Sequence, residues 1–144
     1  MSRVKIRLPE QKVFETEITV MISDINYGSH LGNDRVLAYM QETRLRYFQS
    51  LGYRDELLIE GVGTIQADAM IEYRGEAFQG DSLSCELFIG DIGKRSIDFY
   101  YLINHAGSSQ VIARGKTGIA FYDYEQKSTV SVPAGFLEKV KPMP

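Results

Sequence analysis

The sequence predicts an α+β fold in which an antiparallel five-stranded sheet wraps around one long central helix. Three observations lead there: five separate runs with alternating apolar residues, one uninterrupted stretch with apolar residues spaced by three and four, and short polar turns between the last four runs. A strand, a long helix and four strands joined by hairpin-length turns leave one apolar sheet face, which a single helix can cover.

The first run spans residues 13–22, where Phe14, Ile18, Val20 and Ile22 hold even positions against Glu15, Glu17 and Thr19. That period of two belongs to a strand with one buried face. The next segment, SDINYGSHLGND, is dense in residues that bond their own backbone or tolerate left-handed conformations, so the strand stops there. From Asn33 or Asp34 to Leu51 no Pro or Gly intervenes, and Val36, Leu37, Met40, Tyr47, Phe48 and Leu51 share one helical face. The spacing predicts a helix of roughly five turns, with Asn33 or Asp34 as N-cap and Gly52 as the C-terminal glycine. Four further alternating runs cover residues 64–73, 82–92, 96–105 and 110–122, separated by RGEAFQGD, DIGKR and HAGSS. Connections of that length favour antiparallel neighbours. The closing VPAGFLEKVKP reads either as a short helix against the sheet or as a frayed tail.

With 144 residues, the chain is expected to form one domain spanning residues 1–144. A formal charge of -3 gives no basic excess to attract a phosphate polymer, so nucleic acid is excluded as a partner. The start, MSRVKIRLPE, lacks the apolar run of a signal peptide, and no window is apolar enough to span a membrane; a cytoplasmic protein is expected. Cys85 is the only cysteine and alternates with Leu83 and Leu87, which predicts a buried core thiol. Only two histidines, His30 and His105, are present and they lie far apart in sequence, so no metal site is expected.

The polar segment holding Asp24, Asn26, His30 and Asn33 lies between the first strand and the helix. A helix N-terminus presents unpaired amides and a partial positive charge, suited to a carbonyl oxygen or an oxyanion. A carboxylate, an amide and an imidazole converge there if the chain stays extended. The same residues also suit a purely local use, in which Asp24, Asn26 and Asn33 turn and cap the backbone while His30 bonds a neighbouring carbonyl.

The stretch DINYGSHLGNDRVLAYMQETR resembles the signature of the 4-hydroxybenzoyl-CoA thioesterase-like hot-dog family, with Asp24, His30, Asn33, Glu42 and Arg44 on matching positions. Glu72 and Tyr73 ending a strand, Gly80 and Asp81 opening the next, and the turn from Gly93 to Ser96 extend the resemblance over residues 13–133. It implies a homodimer or dimer of dimers with its sites at the subunit interface. It also implies hydrolysis of a thioester of coenzyme A or of acyl carrier protein, without metal or organic cofactor. Two departures matter: Asn26 stands where the family commonly has the second Asp of a pair, and Ser29 stands where it has Gly before the His. Asn26 can neither take a proton nor attack as a carboxylate. The base then falls to Asp24 or His30, with Asn26 orienting the water or the carbonyl. Glu42 lies nine residues beyond Asn33, about 14 Å along the axis, so it enters only from a partner subunit; otherwise it pairs with Arg44 or Arg46.

Lys94, Arg95, Arg114 and Lys116 are candidate partners for the phosphates of coenzyme A or plain surface charge. The resemblance favours the turn with Lys94, Arg95 and Ser96 as phosphate-contacting. Tyr27, Tyr39, Tyr47 and Phe48 line an acyl pocket or fill the core. Three readings follow, in this order: an acyl-CoA thioesterase, a non-catalytic acyl-CoA binding protein, and a hot-dog hydratase or dehydratase.

Overall fold

The computed structural model of the protein describes residues 1–144. The elements run β1 (Lys12–Thr19), a 3-10 turn (Ile22–Asp24), α1 (Asn33–Ser50), β2 (Gly63–Tyr73), β3 (Ser82–Ile92), β4 (Ser96–His105), β5 (Val111–Asp123), β6 (Ser128–Thr129) and α2 (Ala134–Lys139). The long strands form one antiparallel sheet in the order β1-β3-β4-β5-β2, and the two-residue β6 adds to β5. β1 and β2 therefore have one free edge each.

α1 lies across one face of that sheet and buries Val36, Tyr39, Met40, Thr43, Arg44, Tyr47 and Phe48, a three-and-four stripe of the kind its spacing predicts. Facing strands contribute Leu83, Cys85, Leu87, Ile97, Phe99, Tyr101, Ile119 and Phe121 to the same core. Helix and sheet approach closely because Gly115 of β5 sits beneath Met40, where any Cβ would overlap the methionine side chain. The Cys85 thiol is buried as expected, and that burial raises its pKa to about 11.

Two details depart from the sequence reading, and a third decides between the two alternatives it left for the tail. Ile22 is 74% exposed, because the chain leaves the sheet after Val20 and turns through Ile22–Asp24. The N-cap of α1 is Gly32 rather than Asn33 or Asp34, and no side chain bonds the cap. The tail is helical at Ala134–Lys139 because Phe136 is fully buried, with its ring 5.6 Å from those of Phe48 and Phe121. Burying such a ring contributes about 2 kcal/mol, enough to hold a short helix in place. At the other end of α1, Gly52 has φ +98, the left-handed conformation of a C-terminal glycine.

Candidate active site

Between the 3-10 turn and α1 the backbone folds into a tight hairpin. Ile25 bridges to Leu31, the Asn26 N–H donates to the His30 carbonyl at 2.9 Å, and the Ser29 N–H donates to the Asn26 carbonyl at 3.0 Å. Ser29 closes the turn with φ +67, in the region that favours glycine. The Leu31 N–H donates to the Ala77 carbonyl at 2.8 Å, which ties the hairpin to the β2–β3 loop.

This geometry fixes the chemical polarity of two side chains. Asn26 Oδ1 accepts the Gly28 N–H at 2.9 Å, so the oxygen is engaged in the turn and the Nδ2 amino group is the donor the amide still has to offer. His30 Nδ1 lies 3.1 Å from the Leu31 carbonyl, which can only accept. The neutral ring therefore carries its proton on Nδ1 and keeps a lone pair on Nε2. Asn26 Oδ1 and His30 Nε2 both lie within 3.2 Å of the point where a Cβ on Gly28 would stand, so amide and imidazole flank one small space. The Asn26 Cβ is also 3.6 Å from the corresponding point on Gly32, the first residue of the uncapped helix start.

Asp24 belongs to the same segment but is engaged elsewhere. Its Oδ2 accepts the Tyr39 hydroxyl at 2.6 Å and its Oδ1 lies 3.7 Å from Arg35 Nε. Burial, and then the bond to Asp24, push the Tyr39 phenol up to about 12. Asn33 begins α1, and its carbonyl accepts the Tyr73 hydroxyl at 2.7 Å. His30 and Asn33 line a cavity of about 180 Å³ together with Leu31, Val36, Tyr73 and Glu76. A larger open groove of about 520 Å³ borders Arg44, Glu56 and Thr64, away from this cluster and with its arginine already paired to Glu56.

The remaining candidates stand apart from this cluster. Glu42 bonds Arg46 at 2.7 Å, while Arg46 also reaches Thr16 and the Glu17 carbonyl, both at 2.9 Å. Arg44 turns the other way, to Glu56. Lys94, Arg95 and Ser96 lie at the far end of β3 from the loop beside His30, ~33 Å for its eleven residues; there Arg95 donates to Thr129 Oγ1 at 3.2 Å. Arg114 is 3.7 Å from Glu72, and Lys116 is 2.9 Å from Asp68 and 3.4 Å from Asp98, so neither is a free cation. Of the aromatic residues, Tyr39, Tyr47 and Phe48 are core, and Tyr27 is fully exposed.

Sequence reasoning missed Tyr73 and Glu76, which approach from the other side of the sheet connection. It also kept the histidines apart, whereas both meet Glu76: His30 Nε2 lies 3.9 Å from its carboxylate and His105 Nε2 lies 3.2 Å from its carbonyl. No group of three or more His, Cys, Asp or Glu gathers as a metal-ligand set, and no helix is long and apolar enough to cross a membrane.

Residues 20–140 match the Thioesterase-like superfamily. Over 119 residues the chain is 24% identical to an L-carnitine dehydrogenase/betainyl-CoA thioesterase from Rhizobium meliloti (strain 1021), a match covering 83% of this chain and 24% of that protein. The chain thus spans about a quarter of that relative. Among solved structures, a 1,4-dihydroxy-2-naphthoyl-CoA thioesterase from Synechocystis superposes with a TM-score of 0.80 at 19% identity, covering 88% of this chain and 94% of that one. A 4-hydroxybenzoyl CoA thioesterase carrying an Asp-to-Asn change, complexed with 4-hydroxybenzoyl CoA, also gives 0.80 at 17% identity, covering 89% and 98%.

Proposed function

Because the chain belongs to the Thioesterase-like superfamily and has its hot-dog architecture, we propose that it hydrolyses an acyl-CoA thioester to a free acid and coenzyme A. The observation that carries this reading is that the Asn26 side-chain amide and a basic His30 Nε2 flank one small space beside an uncapped helix start. The carbonyl oxygen takes the Asn26 N–H and the positive end of α1, both of which strengthen as negative charge develops. His30 Nε2 removes the proton of the attacking water. The carbon–sulfur bond then breaks, and the thiolate leaves without a strong acid because a thiol titrates near 8.5. Asp24 holds the segment in place through Tyr39 rather than acting on the water. Asn33 supplies the first turn of the helix.

The free edge of β2, with Ile65, Met70 and Tyr73 exposed, supports assembly as a homodimer or a dimer of dimers, since such edges need cover. In that assembly the phosphate-contacting role of Lys94, Arg95 and Ser96, and any role of Glu42, belong to a site shared with a partner subunit. Acyl carrier protein thioesters are the other substrate type to try, and the cytoplasm is the proposed compartment.

Asn26 and the engaged Asp24 carboxylate favour a second reading, an acyl-CoA binding protein without turnover. A thiol-release assay over short, long and aromatic acyl-CoA thioesters separates the two. Hydrolysis predicts saturable release of coenzyme A, whereas saturable binding with no thiol release sinks the enzyme reading.

A further inference from the structure

If the thioester carbonyl sits at the start of α1, its acyl group enters the cavity of about 180 Å³, because His30 and Asn33 belong to both. At ~30 Å³ per water-sized group the space takes about six such groups. Leu31, Val36 and Ile112 line it as buried side chains. Another wall is a loop: Gly75, Glu76 and Ala77, between β2 and β3.

Each residue of that loop wall is tied to the rest of the protein by one backbone group. The Gly75 N–H donates to the Ile112 carbonyl at 3.1 Å, and the Ala77 carbonyl accepts the Leu31 N–H at 2.8 Å. Between them the Glu76 carbonyl is held by a side chain: His105 Nε2 donates to it at 3.2 Å. A carbonyl can only accept, so the neutral ring carries its proton on Nε2. Nδ1 faces Asp81 Oδ2 at 3.8 Å, beyond hydrogen-bond distance, and that oxygen already accepts the Phe78 N–H at 2.8 Å. The imidazole stands on a fixed base, since His105 ends β4 and its own N–H donates to the Gln110 carbonyl at 3.1 Å. A loop held at single points gives way where a tie is lost, and the space it encloses then widens.

We propose that His105 is a positioning residue for acyl-chain length: by holding the Glu76 carbonyl it keeps this wall against the cavity and limits the site to short chains. The kinetic test of this proposal rests on the hydrolase reading; its binding test does not. The probes are butyryl-CoA, whose chain fits the cavity, and decanoyl-CoA, whose chain exceeds it, and the figure read is the ratio of their kcat/KM values. The wild type should favour butyryl-CoA at least about tenfold, the scale on which an apolar pocket discriminates by methylenes. His105→Leu keeps the bulk and removes the donor. It should lower the ratio at least about fivefold, through a lower KM for decanoyl-CoA, with kcat for butyryl-CoA kept within about threefold. His105→Gln carries an amide N–H at the same number of bonds from Cβ as Nε2, so it should restore the wild-type ratio. His105→Asn, whose amide stops one bond short, should repeat the leucine result and replaces it if the leucine variant does not fold. Equal kcat/KM values in the wild type, or a ratio unchanged without the donor, overturn the proposal. A ratio lowered as far in His105→Gln also overturns it, because the donor is then not what holds the wall. If neither thioester releases thiol, the hydrolase reading fails and calorimetric titration with the same two thioesters decides the rest. A preference for butyryl-CoA that His105→Leu lowers and His105→Gln restores supports the proposal, and affinities that these changes leave alone overturn it.

Discussion

At the start of α1, polar atoms lie half exposed and keep unspent bonding capacity, whereas three turns further along the same helix Arg44 is only 4% exposed and fully engaged. There Arg44 pairs with Glu56 through Nε and donates from Nη1 to the Tyr101 hydroxyl at 2.9 Å, and that hydroxyl shares a 2.6 Å bond with Thr117. Near the helix start Asn26 has one bonded side-chain oxygen and an amino group without a hydrogen-bond partner, and no side chain caps Gly32. A buried polar group without a partner is costly, so the Arg44 network has to close on itself. The helix start can stay open because solvent, or a substrate, completes it.

That contrast is broken most strongly at its closed end. Arg44→Ala strands Glu56 in a largely buried position and is expected to destabilise the protein by about 3–5 kcal/mol. At about 2–4 °C per kcal/mol the melting temperature should fall by roughly 10 °C. Changing Glu56→Gln in the same chain should recover part of the loss, since the uncompensated charge is gone. Chemical denaturation of the two variants measures both; a loss below about 1 kcal/mol for Arg44→Ala would mean that the network carries no weight.

The open end should respond in turnover rather than stability. His30→Gln is expected to lower kcat about 100-fold, the usual scale for a general base, with unfolding unchanged within about 0.5 kcal/mol. Asn26→Asp exchanges the donor for a negative charge facing the oxyanion, so it should lower kcat at least about tenfold. If Asn26→Asp instead raises kcat, the carboxylate chemistry common in the family operates here, and the donor assigned to Asn26 is wrong.

Tyr39 links the two regimes: its ring is buried, yet its hydroxyl reaches Asp24 beside the hairpin. Tyr39→Phe removes a hydrogen bond to a carboxylate and should cost about 1.5 kcal/mol. It should also alter the alkaline limb. Burial first, and Asp24 second, raise the Tyr39 phenol from 10.0 to about 12, so the folded state holds that proton more tightly than the unfolded chain does. Its contribution is fully present below pH 10 and is lost as pH rises towards 12. Unfolding curves at pH 8 and pH 11 should therefore show a smaller wild-type advantage over Tyr39→Phe at the higher value.

How much of this the sequence discloses depends on whether the signal is local. β3 and β4 begin and end where alternation and the DIGKR turn put them, because a hairpin is specified by neighbouring residues. Alternation also continued to Ile22, but pairing ends earlier: Val20 exchanges backbone bonds with Asp81 and Gly80, and the chain then turns away. Asn33 looked like a cap by type, yet its carbonyl is held by Tyr73, forty residues on, a partner that no spacing reveals. Glu42 takes Arg46, one of the two arginines that spacing offers it, whereas the pairing of Arg44 with Glu56 in the following loop has no local signal. Of the site, Asn26 and His30 were legible because they share one turn-rich segment. Glu76 was not, because RGEAFQGD reads only as a connection until the β2–β3 loop is seen to bond Leu31.

The smallest expected effect is at Ser29, and it separates fold strain from chemistry. Ser29 adopts φ +67 where the family usually has glycine, and a side chain in that region costs about 1 kcal/mol or slightly more. Glycine removes the strain but adds about 0.5–1 kcal/mol of unfolded-state entropy, so Ser29→Gly should gain only about 0.5 kcal/mol. That corresponds to roughly 1–2 °C in melting temperature. Lys127, with φ +54 in the turn between β5 and β6, supplies the control. Lys127→Gly should give a similar gain at a position remote from His30. If the hairpin only presents Asn26 and His30, Ser29→Gly keeps their two backbone bonds and leaves kcat within about twofold. A fall in kcat at Ser29 with no counterpart at Lys127 would show that the serine restrains the hairpin for catalysis, and the strain at this turn would then belong to the active site rather than to the scaffold.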